Sequence, residues 1–208
     1  VSLQDRWHSL WNSVAASHAQ RECDALVEAY NESHRAYHNL DHIQNCLVQF
    51  DSVHELAEHA VELELAIWFH DVVYDTRSDR NEQDSADWAA RSLCTGGVSD
   101  EVIARVEELI LATRHTAVPE SPDDGLIVDV DLSILGRPPD EFQEYERKIR
   151  EEYGWVPNPI FRRKRAEILE NFLVRPHLFN TDVFRDRYEE QARANLEESI
   201  ATLRGRSR

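Results

Sequence analysis

The chain has no methionine, only six glycines and seven prolines in 208 residues, and three cysteines. No apolar stretch reaches the roughly 18 residues that a membrane-spanning helix needs. The missing methionine is expected if the initiator was removed or left out of the numbering. Scarce glycine and rare two-residue alternation argue against a β-rich fold. Cys23, Cys46 and Cys94 are odd in number, dispersed and without a CxxC spacing. Such a set argues against a disulfide scaffold and for a reducing compartment, so a cytoplasmic protein is expected. All three are read as small buried apolar residues.

Basic residues are also in short supply. Lys and Arg number 23 against 40 Asp and Glu, a formal net charge of −17. A chain so acidic repels a nucleic-acid backbone on average, which excludes a general DNA- or RNA-coating role. A phosphorylated small molecule remains a partner if a metal or a local arginine group reverses the sign in one cleft. With 41% hydrophobic and 30% charged residues, the composition is that of a globular protein. Its length suits one domain, which buries roughly two-thirds or more of its unfolded surface and needs no covalent staples.

What is present is helical periodicity. Leu3, Trp7, Leu10, Trp11 and Val14 recur at the spacing of one helical face over 3–17, read as an amphipathic helix and not as a signal peptide. A short helix over 21–30 follows. Asn39 is placed to cap a third, with Leu40, Ile43, Leu47 and Phe50 on one stripe. Residues 60–73 are apolar nearly all round, as in a central helix. Further helices are expected near 82–94, 99–113, 139–153, 159–174 and 184–203, punctuated by Pro157, Pro159 and Pro176. GLIVDVDLSILG alternates like a strand in its middle, but Asp123 and Asp124 before it and Gly136 after it favour a helix. The expected fold is all-α, a compact bundle over about 35–136 with helices at both ends of the chain. Residues 139–203 are expected to pack on that bundle within a single domain. Trp68, Phe69, Trp88 and Trp155 are read as core, Arg162 to Arg165 as a solvated helix face, and the last five residues as a frayed tail.

One stretch breaks the pattern. Eight of the ten residues from Leu65 to Tyr74 are apolar, yet His70 and Asp71 sit side by side in their middle. Burying an ionised carboxylate alone costs several kcal/mol even after relaxation. A divalent cation removes the difficulty, because carboxylate and neutral imidazole are natural ligands for one. Adjacent helical residues point about 100° apart, so both reach one ion only near a helix end or a bend. The remaining ligands must come from other helices. His42 borders an apolar stripe, and Asp129 and Asp131 interrupt another. His38 and His115 are further candidates. His38 and His42 are four residues apart, a metal-binding spacing, but HNLDH lacks the Glu that follows the first His in metalloproteases.

The order His42, His70-Asp71, Asp131 resembles the H…HD…D signature of the HD-domain superfamily of metal-dependent phosphohydrolases. RAYHNLDHI, WFHDVVYD, NEQDSA and DVDLSILG look like one bacterial branch of it. The resemblance spans about 35–136, and more loosely EYERKIREEYGWV and RRKRAEILENFL. It implies an all-helical HD-type domain with one divalent ion (Mn, Fe, Ni, Co, Zn or Mg) held by His42, His70, Asp71 and Asp131. Asp131 is preferred to Asp129 because the family's last Asp directly precedes a Leu-rich helical stretch. The implied activity is hydrolysis of a nucleotide or other small phosphorylated metabolite. Asp71, Asp75 and Glu82 are the candidates for proton transfer; Arg35, His38, Arg114 and His115 are the candidates for binding substrate. A non-hydrolytic regulatory domain is the alternative. An alarmone hydrolase is disfavoured, because Val72-Val73-Tyr74-Asp75 lacks the Glu-Asp pair after HD. A di-iron oxygenase would need more histidines than His115 supplies. The end helices offer a surface for a homodimer.

Overall fold

A computed structural model describes residues 2–15 and 17–205. The described residues contain helices and turns and no β-strand. Ten α-helices follow in order: α1 Leu3–Val14, α2 Ala19–Tyr30, α3 Leu40–Asp51, α4 Ala60–Phe69, α5 Asn81–Gly96, α6 Asp100–Ala112, α7 Pro122–Leu132, α8 Pro139–Glu152, α9 Asn158–Leu173 and α10 Asp182–Leu203. Single 3₁₀ turns cover His54–Leu56 and Ser133–Gly136. None of these helices is long and apolar enough to cross a membrane. The chain divides into two compact units, Val1–Val130 and Asp131–Arg208, with the division falling inside the unbroken helix α7.

The first unit is organised by α4. Leu63, Leu65, Ala66, Ile67, Trp68 and Phe69 are all buried, which is why the helix shows no polar face. Trp7 of α1 closes one side of it, with ring centroids 5.1 Å from Trp11, 5.4 Å from Trp68 and 5.8 Å from Phe69. Helices α3, α5 and α6 also pack on α4. The start of α7 is tied to the approach to α4. The buried Asp123 carboxylate accepts from the backbone N–H groups of Glu58 and His59, at 2.9 Å each. Ser121 and Asp124 cap α7 reciprocally, each side chain accepting the other's N–H at 3.1 and 3.0 Å. The ambiguous GLIVDVDLSILG is therefore helix followed by a 3₁₀ turn.

The central helix is shorter than its apolar run. Expected over 60–73, it ends at Phe69, and His70-Asp71 lie on the turn beyond. Likewise α1 stops at Val14, with Ala15 extended; Ala16 lies outside the described residues. Two burial expectations fail. Cys94 is exposed, and Trp155 is 51% exposed. The basic cluster is only partly solvated. Arg163 and Lys164 are exposed. Arg162 instead donates to the Leu203 and Thr202 carbonyls at 2.9 and 2.8 Å, which caps α10. Arg165 is inserted against Glu146 and the Tyr145 hydroxyl. Of the expected tail, Arg204 donates to the Glu170 carboxylate, and 206–208 lie outside the described residues.

In the second unit, Gly136 lies where the 3₁₀ turn crosses α10. A Cβ there would stand 2.8 Å from the Tyr188 carbonyl oxygen and 2.9 Å from its Cα. Both are backbone or backbone-linked atoms that cannot swing aside. Gly136→Ala should therefore lower stability by about 1–3 kcal/mol. The check is a lowered urea midpoint with an unchanged denaturant slope.

Candidate metal centre

Two chain reversals aim the site. Asn39 caps α3, its side-chain oxygen accepting from the N–H groups of Asp41 (2.9 Å) and His42 (3.4 Å). That cap puts His42 in the first turn of α3, where its ring is buried. At the other, α4 ends at Phe69 and His70 and Asp71 form the turn beyond it, so the two adjacent residues stand at a helix end, where both can reach one point.

The two turns meet. His42 Nε2 lies 3.1 Å from His70 Nε2 and 3.4 Å from Asp71 Oδ2, and His70 Nε2 lies 3.2 Å from Asp71 Oδ2. The three atoms form a nearly equilateral triangle. Two ligands each about 2.1 Å from one ion, at tetrahedral or octahedral angles, stand roughly 3.0–3.4 Å apart. The triangle thus has the dimensions of one face of a coordination polyhedron. The side chains of His42, His70 and Asp71 are 2%, 3% and 17% exposed, so bulk water does not separate them.

Protonation sharpens the point. His70 Nδ1 lies 2.9 Å from the Ile67 carbonyl, which can only accept. That bond fixes the proton on Nδ1 and turns the Nε2 lone pair toward the triangle. Three lone-pair atoms then converge with at most one proton, on His42 Nε2, among them. Either the imidazoles take up further protons or a cation sits at the centre. In the protonated form, burial alone raises the Asp71 carboxyl's pKa. The charges of His70 and His38 and hydrogen bonds from His42 and His70 outweigh it, holding the group well below the usual carboxylate range.

His42, Cys46 and His70 form a group whose candidate ligand atoms all lie within 4.8 Å of one another. Asp131 stands in the last turn of α7 and is half-buried, whereas Asp129 is fully buried. Sequence reasoning missed Cys46, although it follows His42 by four residues and so shares its helix face. The sulfur lies 3.7 Å from both Nδ1 and Nε2 of His42. Equal distances place it against the ring and away from the Nε2 lone-pair direction. Cys46 therefore packs on the His42 ring, and Asp71 rather than Cys46 completes the triangle.

The other candidates scatter around this centre. His38 stacks on Tyr74, 4.1 Å between centroids, and its ring is 5.9 Å from that of His42. Arg35 is buried beneath, bonded to backbone carbonyls. Asp75 closes its own loop: one carboxylate oxygen accepts from Arg77 N–H at 2.9 Å, and Asn81 bridges its backbone. Glu82, in the first turn of α5, faces Arg114 with 3.9 Å between Oε2 and Nε. Arg114 also donates to Gln83 at 3.3 Å. Ser85, one turn beyond Glu82, accepts from Val73 N–H at 3.1 Å, tying α5 to the segment after the His-Asp pair. His115 follows Arg114 in a left-handed backbone conformation, φ 56°. No family model, no curated protein and no solved structure matches this chain.

Protons and a cation compete for the same three atoms, so metal affinity should fall as pH drops through the histidine range. In metal-free protein the depressed Asp71 group contributes stability that is fully present above the ordinary carboxylate pKa and lost as pH falls below it. Chelated Asp71→Asn should lack that acid-side loss. Urea unfolding between neutral and strongly acidic pH, beside cobalt titration over the histidine range, checks both.

Proposed function

We propose that the protein is a metal-dependent phosphohydrolase of the HD-domain type, acting on a nucleotide or another small phosphorylated metabolite. The observation that supports this reading most is the triangle of His42 Nε2, His70 Nε2 and Asp71 Oδ2, with edges of 3.1, 3.2 and 3.4 Å. Its donors are two imidazoles and a carboxylate, a set that suits Mn, Fe, Co, Ni or Zn and, less well, Mg. Asp131 is the fourth ligand in this proposal. A divalent ion held there lowers the pKa of a bound water and offsets charge on a phosphoryl group. Four protein ligands on a six-coordinate ion leave room for both.

This chain's own residues do the rest. In this proposal Asp71 ligates through Oδ2 and is also the candidate to take a proton from the water. The −17 charge of the chain opposes the approach of any phosphate, so cationic groups must act locally. Arg114 and His115 fill that role in the proposal, Arg114 with a half-buried side chain and a distant carboxylate partner. His38 lines the site beside Tyr74. The reading places the protein in a reducing cytoplasm, where Cys23, Cys46 and Cys94 stay thiols.

One observation favours a second reading, a regulatory domain that binds metal and nucleotide without turnover. Asp75 is engaged in its own loop and Glu82 faces Arg114, so neither of these two carboxylates is committed to proton transfer.

The deciding test is elemental analysis of wild type and His70→Ala, run beside a phosphate-release screen over nucleotides and sugar phosphates. The proposal expects about one metal ion per chain in wild type, little in His70→Ala, and phosphate release that falls at least a hundredfold in the mutant. Metal uptake with tight nucleotide binding but no product would favour the regulatory reading. Equal, negligible metal in both proteins after metal is added back would end both readings. A paired comparison settles the fourth ligand: Asp131→Ala should lose metal occupancy while Asp129→Ala keeps it.

A further inference from the structure

Arg35 carries the one guanidinium at the site that is almost completely enclosed, its side chain 1% exposed. A cation that binds substrate needs free donors facing a cleft. Arg35 has spent its donors elsewhere. Nη1 donates to the carbonyl oxygens of Asp71 at 2.6 Å and His38 at 3.2 Å. Nη2 donates to the Val72 carbonyl at 2.8 Å, and Nε to Glu32 Oε2 at 2.9 Å. Four of its five N–H groups are thus engaged. The guanidinium carbon also lies 5.3 Å from the centre of the Tyr30 ring and 5.6 Å from that of Tyr74. Tyr30 is anchored in turn, its hydroxyl donating to the Trp68 carbonyl at 2.9 Å.

The partners have a pattern. Asp71 and Val72 belong to the turn that carries the His70-Asp71 pair. His38 belongs to the turn that leads into α3 and is four residues before His42. One planar fork therefore spans the two reversals whose side chains make the triangle. It also satisfies two backbone oxygens of the turn that follows α4. Nearby contacts reinforce the same seam: His34 Nε2 donates to the Tyr74 carbonyl at 2.9 Å, and His38 stacks on Tyr74.

We propose that Arg35 is a positioning residue of the metal centre, a brace that sets the spacing between His42 and the His70-Asp71 pair by holding their two turns together. The inference rests on the reading of the triangle as a metal site. Lysine cannot replace the brace. An ammonium is a point charge and cannot reach three carbonyls in the directions of a rigid fork. Loss of a group that orients first ligands typically weakens metal binding about 10- to 100-fold.

The test uses the full chain, stripped of metal and titrated with Co²⁺ as the probe. Wild type, Arg35→Lys, Glu32→Gln and His70→Ala are compared by cobalt affinity, visible ligand-field spectrum and urea unfolding of the metal-free form. Arg35→Lys should keep the helical circular dichroism, bind cobalt about 10- to 100-fold more weakly and show an altered ligand-field spectrum. A purely structural arginine would lower the unfolding midpoint and leave spectrum and affinity at their wild-type values; that result overturns the proposal. Should Arg35→Lys not fold, Glu32→Gln decides. Glu32 is half exposed and orients Nε alone, so its loss spares the fold and should weaken cobalt severalfold; wild-type affinity and spectrum there also overturn the brace. Failure of the metal reading looks different: wild type then takes up no more cobalt than His70→Ala.

Discussion

Everything near the centre of the first unit answers to one electrostatic constraint. Three atoms with lone pairs, two imidazole nitrogens and a carboxylate oxygen, stand within 3.4 Å of one another at the end of the mostly apolar helix α4. Leaving an ion unpaired there costs several kcal/mol. The apolar residues of α4 supply the compensation. Leu63, Leu65, Ile67, Trp68 and Phe69 are buried, and at roughly 1.5–3 kcal/mol each they contribute on the order of 10 kcal/mol. The fold can therefore hold an awkward cluster in place, and the cluster draws in protons or a cation.

The surrounding polar contacts have a common role, the fixing of turns. Asn39 starts α3 so that His42 faces inward. Asp123 anchors the start of α7 to the segment leading into α4, so that both helices begin from one point. Arg35 spans the turns before α3 and after α4. The Ile67 carbonyl sets the tautomer of His70. Each of these contacts restricts where an atom of the triangle can stand.

Much of this was legible in advance, for reasons that differ by residue. Helices α1 and α3 announce themselves through local rules of capping and periodicity, whereas the α7 segment read as strand or helix alike. His70 and Asp71 stand out because two polar residues in a buried run need a reason to be there. Other features lay beyond such rules. Arg35 looks like a phosphate binder by type, but its partners are backbone carbonyls, which carry no sequence signature. Cys46 was four residues from His42, yet its small apolar character made burial a sufficient explanation. Cys94 and Trp155 were assigned to the core by residue type. Burial depends instead on which helix face meets a neighbour, and theirs do not.

Composition and periodicity alone determined an acidic, all-helical chain with a His-Asp pair set in its most apolar segment. Those properties follow from interactions within a few residues, where spacing and side-chain type suffice. The termination of α4 at Phe69, the meeting of residues 28 positions apart, and the triangle of 3.1 to 3.4 Å were decided only by tertiary structure. Sequence spacing says nothing of the distance between two helix ends until packing brings them together. Here that packing is joined by a single guanidinium and by the aromatic cluster around Trp7.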